Sequence, residues 1–175
     1  MDAYKLKLTT LQQQIFRLFC IKAGQKLNQR KIAQLLDVSP TAIGKALPNL
    51  TNYLKIRKDE TMNLNLVELN RENSFVINLK KVENLKLLYE VGLDQKLREA
   101  YPGCTIILIG SFARGEDLFN SDIDVVVIGT KKKGKIFHSL EKEVRVSTFP
   151  HFKGIQKELR ENICNGIILS GGIEL

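Results

Sequence analysis

Gly110-Ser111-Phe112-Ala113-Arg114-Gly115, followed by Ser121-Asp122-Ile123-Asp124, is the stretch on which the reading of this chain turns. Just before it, Thr105-Ile106-Ile107-Leu108-Ile109 is a β-branched apolar run of the kind a buried strand carries, and the run stops at Gly110. Just after it, Val125-Val126-Val127-Ile128 is a second such run. The Gly-Ser pair is therefore predicted at a strand end, and two acids open the next strand. Residues two apart on a strand share a face, so Asp122 and Asp124 point the same way about 7 Å apart along the chain. Mg²⁺ prefers hard oxygen ligands and takes one or two carboxylates together with substrate phosphates. A Gly-Ser turn at a helix start offers backbone N–H groups and a hydroxyl to phosphate oxygens. An isolated Asp-x-Asp would read as two solvated carboxylates on an edge strand. Acids opening an otherwise apolar strand are poor core material, because a desolvated charge is costly unless paired or metal-bound.

These residues resemble the nucleotidyltransferase superfamily, the polymerase beta-like fold, whose signature is Gly-Ser, a spacer and Asp-x-Asp. The minimal nucleotidyltransferase type is the branch most resembled: its fuller form, Gly-Ser-x-Ala-Arg-Gly followed by Ser-Asp-x-Asp, is present without a missing position. The resemblance spans residues 94–175 and implies a small mixed-sheet domain in an α+β chain. It also implies a two-metal in-line displacement on a nucleotide triphosphate, with pyrophosphate leaving. Asp122 and Asp124 are then the ligands of Mg²⁺ or Mn²⁺, while Gly110, Ser111 and Ser121 belong to the nucleotide-binding set. Arg114 is either a phosphate contact or an ion-pair partner of Glu116 or Asp117. The attacking hydroxyl is left open between a protein side chain, an RNA end and a small molecule.

Family enzymes use a third acid on a neighbouring strand, and here it must come from Glu141-Lys142-Glu143-Val144-Arg145-Val146-Ser147-Thr148-Phe149. Period-two alternation sets Val144, Val146 and Thr148 on one side and Glu143, Arg145 and Ser147 on the other, which makes Glu143 the candidate catalytic acid and metal ligand. Its competing role is a structural pair with Arg145 or Lys142. Lys131-Lys132-Lys133-Gly134-Lys135 reads as a charged turn between the strands.

The chain has 175 residues and a formal net charge of +8. Residues 1–92 hold fifteen Lys and Arg against eight Asp and Glu, a net of +7; residues 93–175 hold twelve against eleven, a net of +1. A polyanion partner is therefore expected on the first half. There, Leu11, Ile15, Leu18 and Phe19 recur at helical spacing, and Asn28 is placed to cap a second helix carrying Ile32, Ala33, Leu35 and Leu36. Ser39-Pro40 is an N-cap and N1 pair that starts a third helix with Ile43 and Leu47 on its buried side. Leu54–Arg57 and Leu64–Leu69 alternate around the polar tip Lys58-Asp59-Glu60-Thr61, which predicts a β-ribbon. The whole resembles a winged helix-turn-helix, and that resemblance implies double-stranded DNA as partner, with Thr41, Lys45 and Asn49 on the third helix and Arg57 and Lys58 in the wing. Gly44, also expected on the exposed side, weakens that helix, and Pro48 is expected to kink or end it. A module that binds protein is the competing reading.

The expected boundaries are a DNA-binding domain at 1–74, a helical linker at 75–93 and the catalytic domain at 94–175. Within the linker, Phe75-Val76-Ile77 is expected as a short strand or extended link. Leu79 to Val91 is expected as a helix with Val82, Leu85, Leu88 and Tyr89 on one side. A helix near Phe152 to Ile163 and a closing strand over 166–171 complete the expectation. Cys20, Cys104 and Cys164 are too scattered for a disulfide framework or a zinc site. No stretch reaches the length of a membrane span and no signal-peptide core opens the chain, so a cytoplasmic protein is expected. Besides an enzyme addressed to DNA, two readings stay open: a regulator that senses nucleotide without turnover, and an antitoxin-like protein with a protein partner. A homodimer is left open as well.

Overall fold

The structure, a computed structural model, describes residues 7–59 and 64–173; the chain divides into two units, residues 1–76 and 77–175. In the first unit α1 spans Thr10–Ile21, opened by a capping box in which Thr9 and Gln12 satisfy each other's backbone N–H groups. Its apolar stripe buries Ile15, Phe16, Leu18 and Phe19. A two-residue strand, β1 (Leu27–Asn28), leads into α2 (Gln29–Leu36), whose start is capped by the Asn28 side chain accepting from Lys31 N–H at 2.8 Å. Asp37 in the left-handed conformation ends α2. Ser39 then caps α3 (Pro40–Ala46). Pro48 has no N–H to continue the α pattern, and the chain tightens into a 3₁₀ turn over Leu47–Leu50. The hairpin β2 (Leu54–Asp59) and β3 (Leu64–Leu69) forms an antiparallel sheet of order β1-β3-β2. Three helices backed by this ribbon make the winged helix-turn-helix. Glu60 and Thr61, expected at the wing tip, lie outside the described residues.

α4 runs over Ser74–Glu90, so Phe75-Val76-Ile77 is a helical turn and not a strand or extended link. Asn73 Oδ1 accepts from Phe75 N–H at 3.0 Å and holds that start. The buried side of α4 is Val76, Lys80, Asn84, Leu87 and Leu88; Val82 and Tyr89, expected on the inner face, are exposed. From Ile77 onward α4 belongs to the second unit, so the stretch expected as a linker is largely part of that unit. Gly92, in the left-handed region, precedes α5 (Leu93–Ala100).

The rest of the second unit is β4 (Thr105–Ile109), α6 (Gly110–Arg114), β5 (Ile123–Ile128), β6 (Ile136–Ser139), β7 (Lys142–Phe149), α7 (Lys157–Cys164) and β8 (Ile167–Ser170). The sheet order is β6-β7-β5-β4-β8; β5 and β7 are parallel and the other pairs antiparallel. One face buries Ile123, Val125, Val127 and Val144 with Leu93, Leu97, Phe112 and Ala113. The other buries Ile107, Ile109 and Val126 with Ile155 and Ile163. β6 was not expected: it joins β7 through Leu140-Glu141, both with positive φ, a two-residue hairpin turn made without its usual Asn or Gly. The tail helix is also shorter than expected, broken into a 3₁₀ turn at Phe152–Gly154 and α7.

Candidate active site

Ile109 pairs with Asp124 across the β4/β5 ladder, so the turn that follows Ile109 lies directly over that carboxylate. Gly110 has φ +75°, and a Cβ there would stand 2.7 Å from Asp124 Oδ2. Both the backbone conformation and the close approach require glycine. In the parallel ladder Ile123 faces Val144 and Asp124 faces Arg145. Side-chain alternation then brings Asp122, Asp124, Glu143 and Arg145 to one face at one end of the sheet. Arg145 bridges the group: its Nη2 lies 2.9 Å from Asp122 Oδ2 and its Nε donates to Glu143 Oε1 at 2.8 Å. Burial, and then the charge of Asp122, hold the Asp124 carboxyl above its ordinary range, with Arg145 opposing them.

This donor set fits a divalent cation in part. Asp122 and Asp124 are two like charges on one face, one of them partly desolvated, which is the electrostatic condition a cation relieves. Among the described residues, however, no group of three His, Cys, Asp or Glu side chains is gathered as a ligand cluster. Glu143 is turned to Arg145, the structural pairing that the sequence left open for it. Arg114 Nε donates to Glu116 Oε2 at 2.8 Å, which is the ion-pair role. Ser121 Oγ accepts from Leu118 N–H at 2.9 Å and closes the turn leading to Asp122. Ser111 sits in the first turn of α6, half-buried beside Gly110. A separate concavity of about 450 Å³, bordered by Thr105, Ile128, Gly129 and His151, opens at the opposite end of β4 and β5 and contains none of the acids.

In the first unit Thr41 and Lys45 are exposed on α3, and Arg57 and Lys58 are exposed on β2, where Arg57 Nε is 3.7 Å from Glu68 Oε1. Asn49 is exposed too, but lies in the 3₁₀ turn beyond the end of α3, because Pro48 terminates that helix first. Gly44 does not face outward: a Cβ there would lie 2.9 Å from Gln29 Nε2, which itself donates to the Pro40 carbonyl at 2.6 Å. Its role is the close approach of α3 to α2.

Residues 92–165 match the family model described as Nucleotidyltransferase domain. The winged-helix unit thus precedes the region that matches this domain model, in one α+β chain. Among solved structures, the chain is similar to the adhesin competence repressor AdcR from Streptococcus pyogenes, at 20% identity over 58% of this chain and 72% of that chain, TM-score 0.43. It is similar to a Lactococcus lactis ZitR mutant at 24% identity over 59% and 68%, TM-score 0.40. A ZitR mutant in complex with DNA gives 25% identity over 59% and 68%, TM-score 0.39. No curated protein matches the chain. No helix among the described residues is long and apolar enough to cross a membrane.

Beneath the acids lies a cluster that the sequence reading missed. Lys80, Asn84, Asp117 and Lys142 are all buried. Lys80 Nζ pairs with Asp117 Oδ1 and bonds Asn84 Oδ1 at 3.2 Å; Asn84 Nδ2 donates to Asp117 Oδ1 at 2.7 Å and to the Phe112 carbonyl at 2.9 Å. Lys142 Nζ donates to the carbonyls of Leu118, Phe119 and Ser121 at 2.7, 3.0 and 3.0 Å and lies 3.7 Å from Asp117 Oδ2. Burial draws the Lys142 ammonium below its ordinary range, opposed by Asp117. The ammonium therefore clamps the turn that delivers Asp122. One signal was available: the alternation that sets Val144 and Val146 inward sets Lys142 inward with them.

Proposed function

We propose that the second unit transfers a nucleotidyl group from a nucleotide triphosphate to a hydroxyl acceptor, and that the first unit binds double-stranded DNA. The observation that carries the catalytic reading is the Gly110 turn packed on Asp124, with Asp122 beside it on the same face. Asp122 and Asp124 would hold Mg²⁺ or Mn²⁺, which when bound supplies charge neutralisation at the transferred phosphoryl group and in-line alignment. Gly110 and Ser111 turn backbone N–H groups toward phosphate oxygens. The acceptor oxygen bonds to the α-phosphorus, the bridging P–O bond to the β-phosphate breaks, and pyrophosphate leaves. Glu143 takes the hydroxyl proton once it is released from Arg145. Arg114 and Ser121 shape the turn around the nucleotide.

One observation favours a second reading. Arg145 already neutralises Asp122 and Glu143, an arrangement equally suited to a regulator that senses nucleotide without turnover or to an antitoxin-like protein. Calorimetry with Mg²⁺-ATP tests the site common to all of these. The double variant Asp122→Asn with Asp124→Asn should bind no Mg²⁺-nucleotide yet remain folded; equal affinity in both proteins refutes the site. Radiolabelled nucleotide transfer to candidate acceptors then separates enzyme from sensor.

A further inference from the structure

The segment between β5 and β6 holds Lys131, Lys132, Lys133 and Lys135, four cations in five positions of a unit that has fifteen Lys and Arg against thirteen Asp and Glu in all. All four side chains are exposed, and none forms an ion pair among the described residues. Their backbone is nevertheless held along its length. Lys132 N–H donates to Thr130 Oγ1 at 3.1 Å, Thr148 Oγ1 donates to the Lys132 carbonyl at 2.7 Å, and Lys135 N–H donates to the hydroxyl of buried Tyr101 at 3.0 Å. A side chain at Gly134 would collide with the Val146 carbonyl, so the chain there lies flat against β7. From Lys132 beside Thr148, past Gly134 beside Val146, to Ile136 paired with Arg145, the segment continues the edge of the sheet. It leads to the residue that bridges Asp122 and Glu143.

We propose that this lysine edge is a track for the phosphodiester backbone of a single nucleic-acid strand, and that the strand's terminal hydroxyl is the acceptor. The backbone is already ordered, so only the side chains lose freedom when their unpaired ammonium groups meet phosphates, and these contacts release counterions from the strand. The edge of one sheet is one strand wide, which suits one backbone better than the two of a duplex. The acceptor role rests on the nucleotidyltransferase reading; the binding of the strand does not.

The test is fluorescence anisotropy of the full chain with short single-stranded DNA and RNA, over a range of salt. Three proteins are compared: wild type, a variant with Lys131→Gln, Lys132→Gln, Lys133→Gln and Lys135→Gln together, and the same four positions as Arg. Four phosphate contacts on a single strand contribute about 2.8 to the slope of log affinity against log salt, so between about 50 and 200 mM salt the wild type should lose roughly 50-fold more affinity than the Gln variant. The Arg variant should keep the wild-type slope. The difference between proteins cancels whatever the first unit contributes, and the DNA and RNA arms show which strand is taken. An unchanged slope in the Gln variant overturns the proposal. So does a loss confined to duplex, or equal competition by polyglutamate, which would assign the edge to an acidic protein. The double variant Asp122→Asn with Asp124→Asn should still bind the strand with the wild-type salt dependence. Failure of Mg²⁺-nucleotide binding in wild type, with strand binding intact, would refute the enzyme reading and leave the track standing.

Discussion

Replacing Lys142 by Met removes the ammonium that holds the turn ahead of Asp122 while keeping most of the side-chain volume. Three carbonyls lose a charged donor, and Asp117 loses one of its neighbours but keeps Lys80 and Asn84. A hydrogen bond to a charged group contributes about 1.5–3 kcal/mol net, but Phe119 is exposed and Leu118 and Ser121 are half-buried, so their carbonyls can turn to water. The loss should therefore be near that of one such bond, about 2–3 kcal/mol, below the roughly 3–5 kcal/mol expected when a buried pair loses a partner outright. That larger cost should appear in Lys80→Met, because Lys80 is fully buried against Asp117. For a unit of this size 2–3 kcal/mol corresponds to a fall in Tm of about 10–20 °C, read by differential scanning calorimetry. Lys142→Arg should recover part of it. Combining Lys80→Met with Asp117→Leu should be milder than Lys80→Met alone, since no charge of that pair is then left buried without its partner. If Lys142→Met and wild type melt together, the clamp does not exist. If Lys142→Met melts early yet binds Mg²⁺-ATP with unchanged affinity, the clamp stabilises the unit without positioning Asp122.

Glu143→Gln should retain nucleotide binding and lose transfer, because its part would be confined to the transition state; full activity would move the proton acceptor elsewhere. Asp124→Asn should raise the Tm of the metal-free protein at neutral pH. The folded pKa of Asp124 is raised above its unfolded value of 3.8. Its protonated form is therefore favoured in the fold, and that contribution is lost as pH rises through the folded pKa. The gain from Asn should accordingly vanish on acidification toward the unfolded value, and a pH-independent difference would contradict the assigned cause. Lys45→Ala should lower the salt slope of duplex binding by about 1 if Lys45 touches phosphate, or relax preference at one base pair if it reads a base. No effect on any duplex would remove α3 from the interface.

Continuous β-branched apolar runs were enough to read β4 and β5, period-two alternation to read β7, and Ser39-Pro40 and Asn28 announced two helix starts, because those signals are local: each rests on residues within a few positions. Gly110, Asp122 and Asp124 were legible for the same reason, as a turn and a strand whose spacing already brings them together. The stretch of α4 from Val76 misled because part of its inner face is polar. Lys80 and Asn84 look solvated until Asp117, more than thirty positions away, is folded against them. The hairpin at Leu140-Glu141 carries no turn residue and was invisible; only pairing of β6 with β7 holds both residues at positive φ. Glu143 was placed on the correct face by period alone, but its partner was decided by the parallel register that seats Arg145 beside Asp124 and within reach of Asp122. By itself, then, the chain determined which residues meet at the Gly110 turn, since turn and strand geometry are written in neighbouring positions. Which charges neutralise one another was left to the tertiary structure, because an ion pair depends on distances across strands and helices that no local pattern encodes.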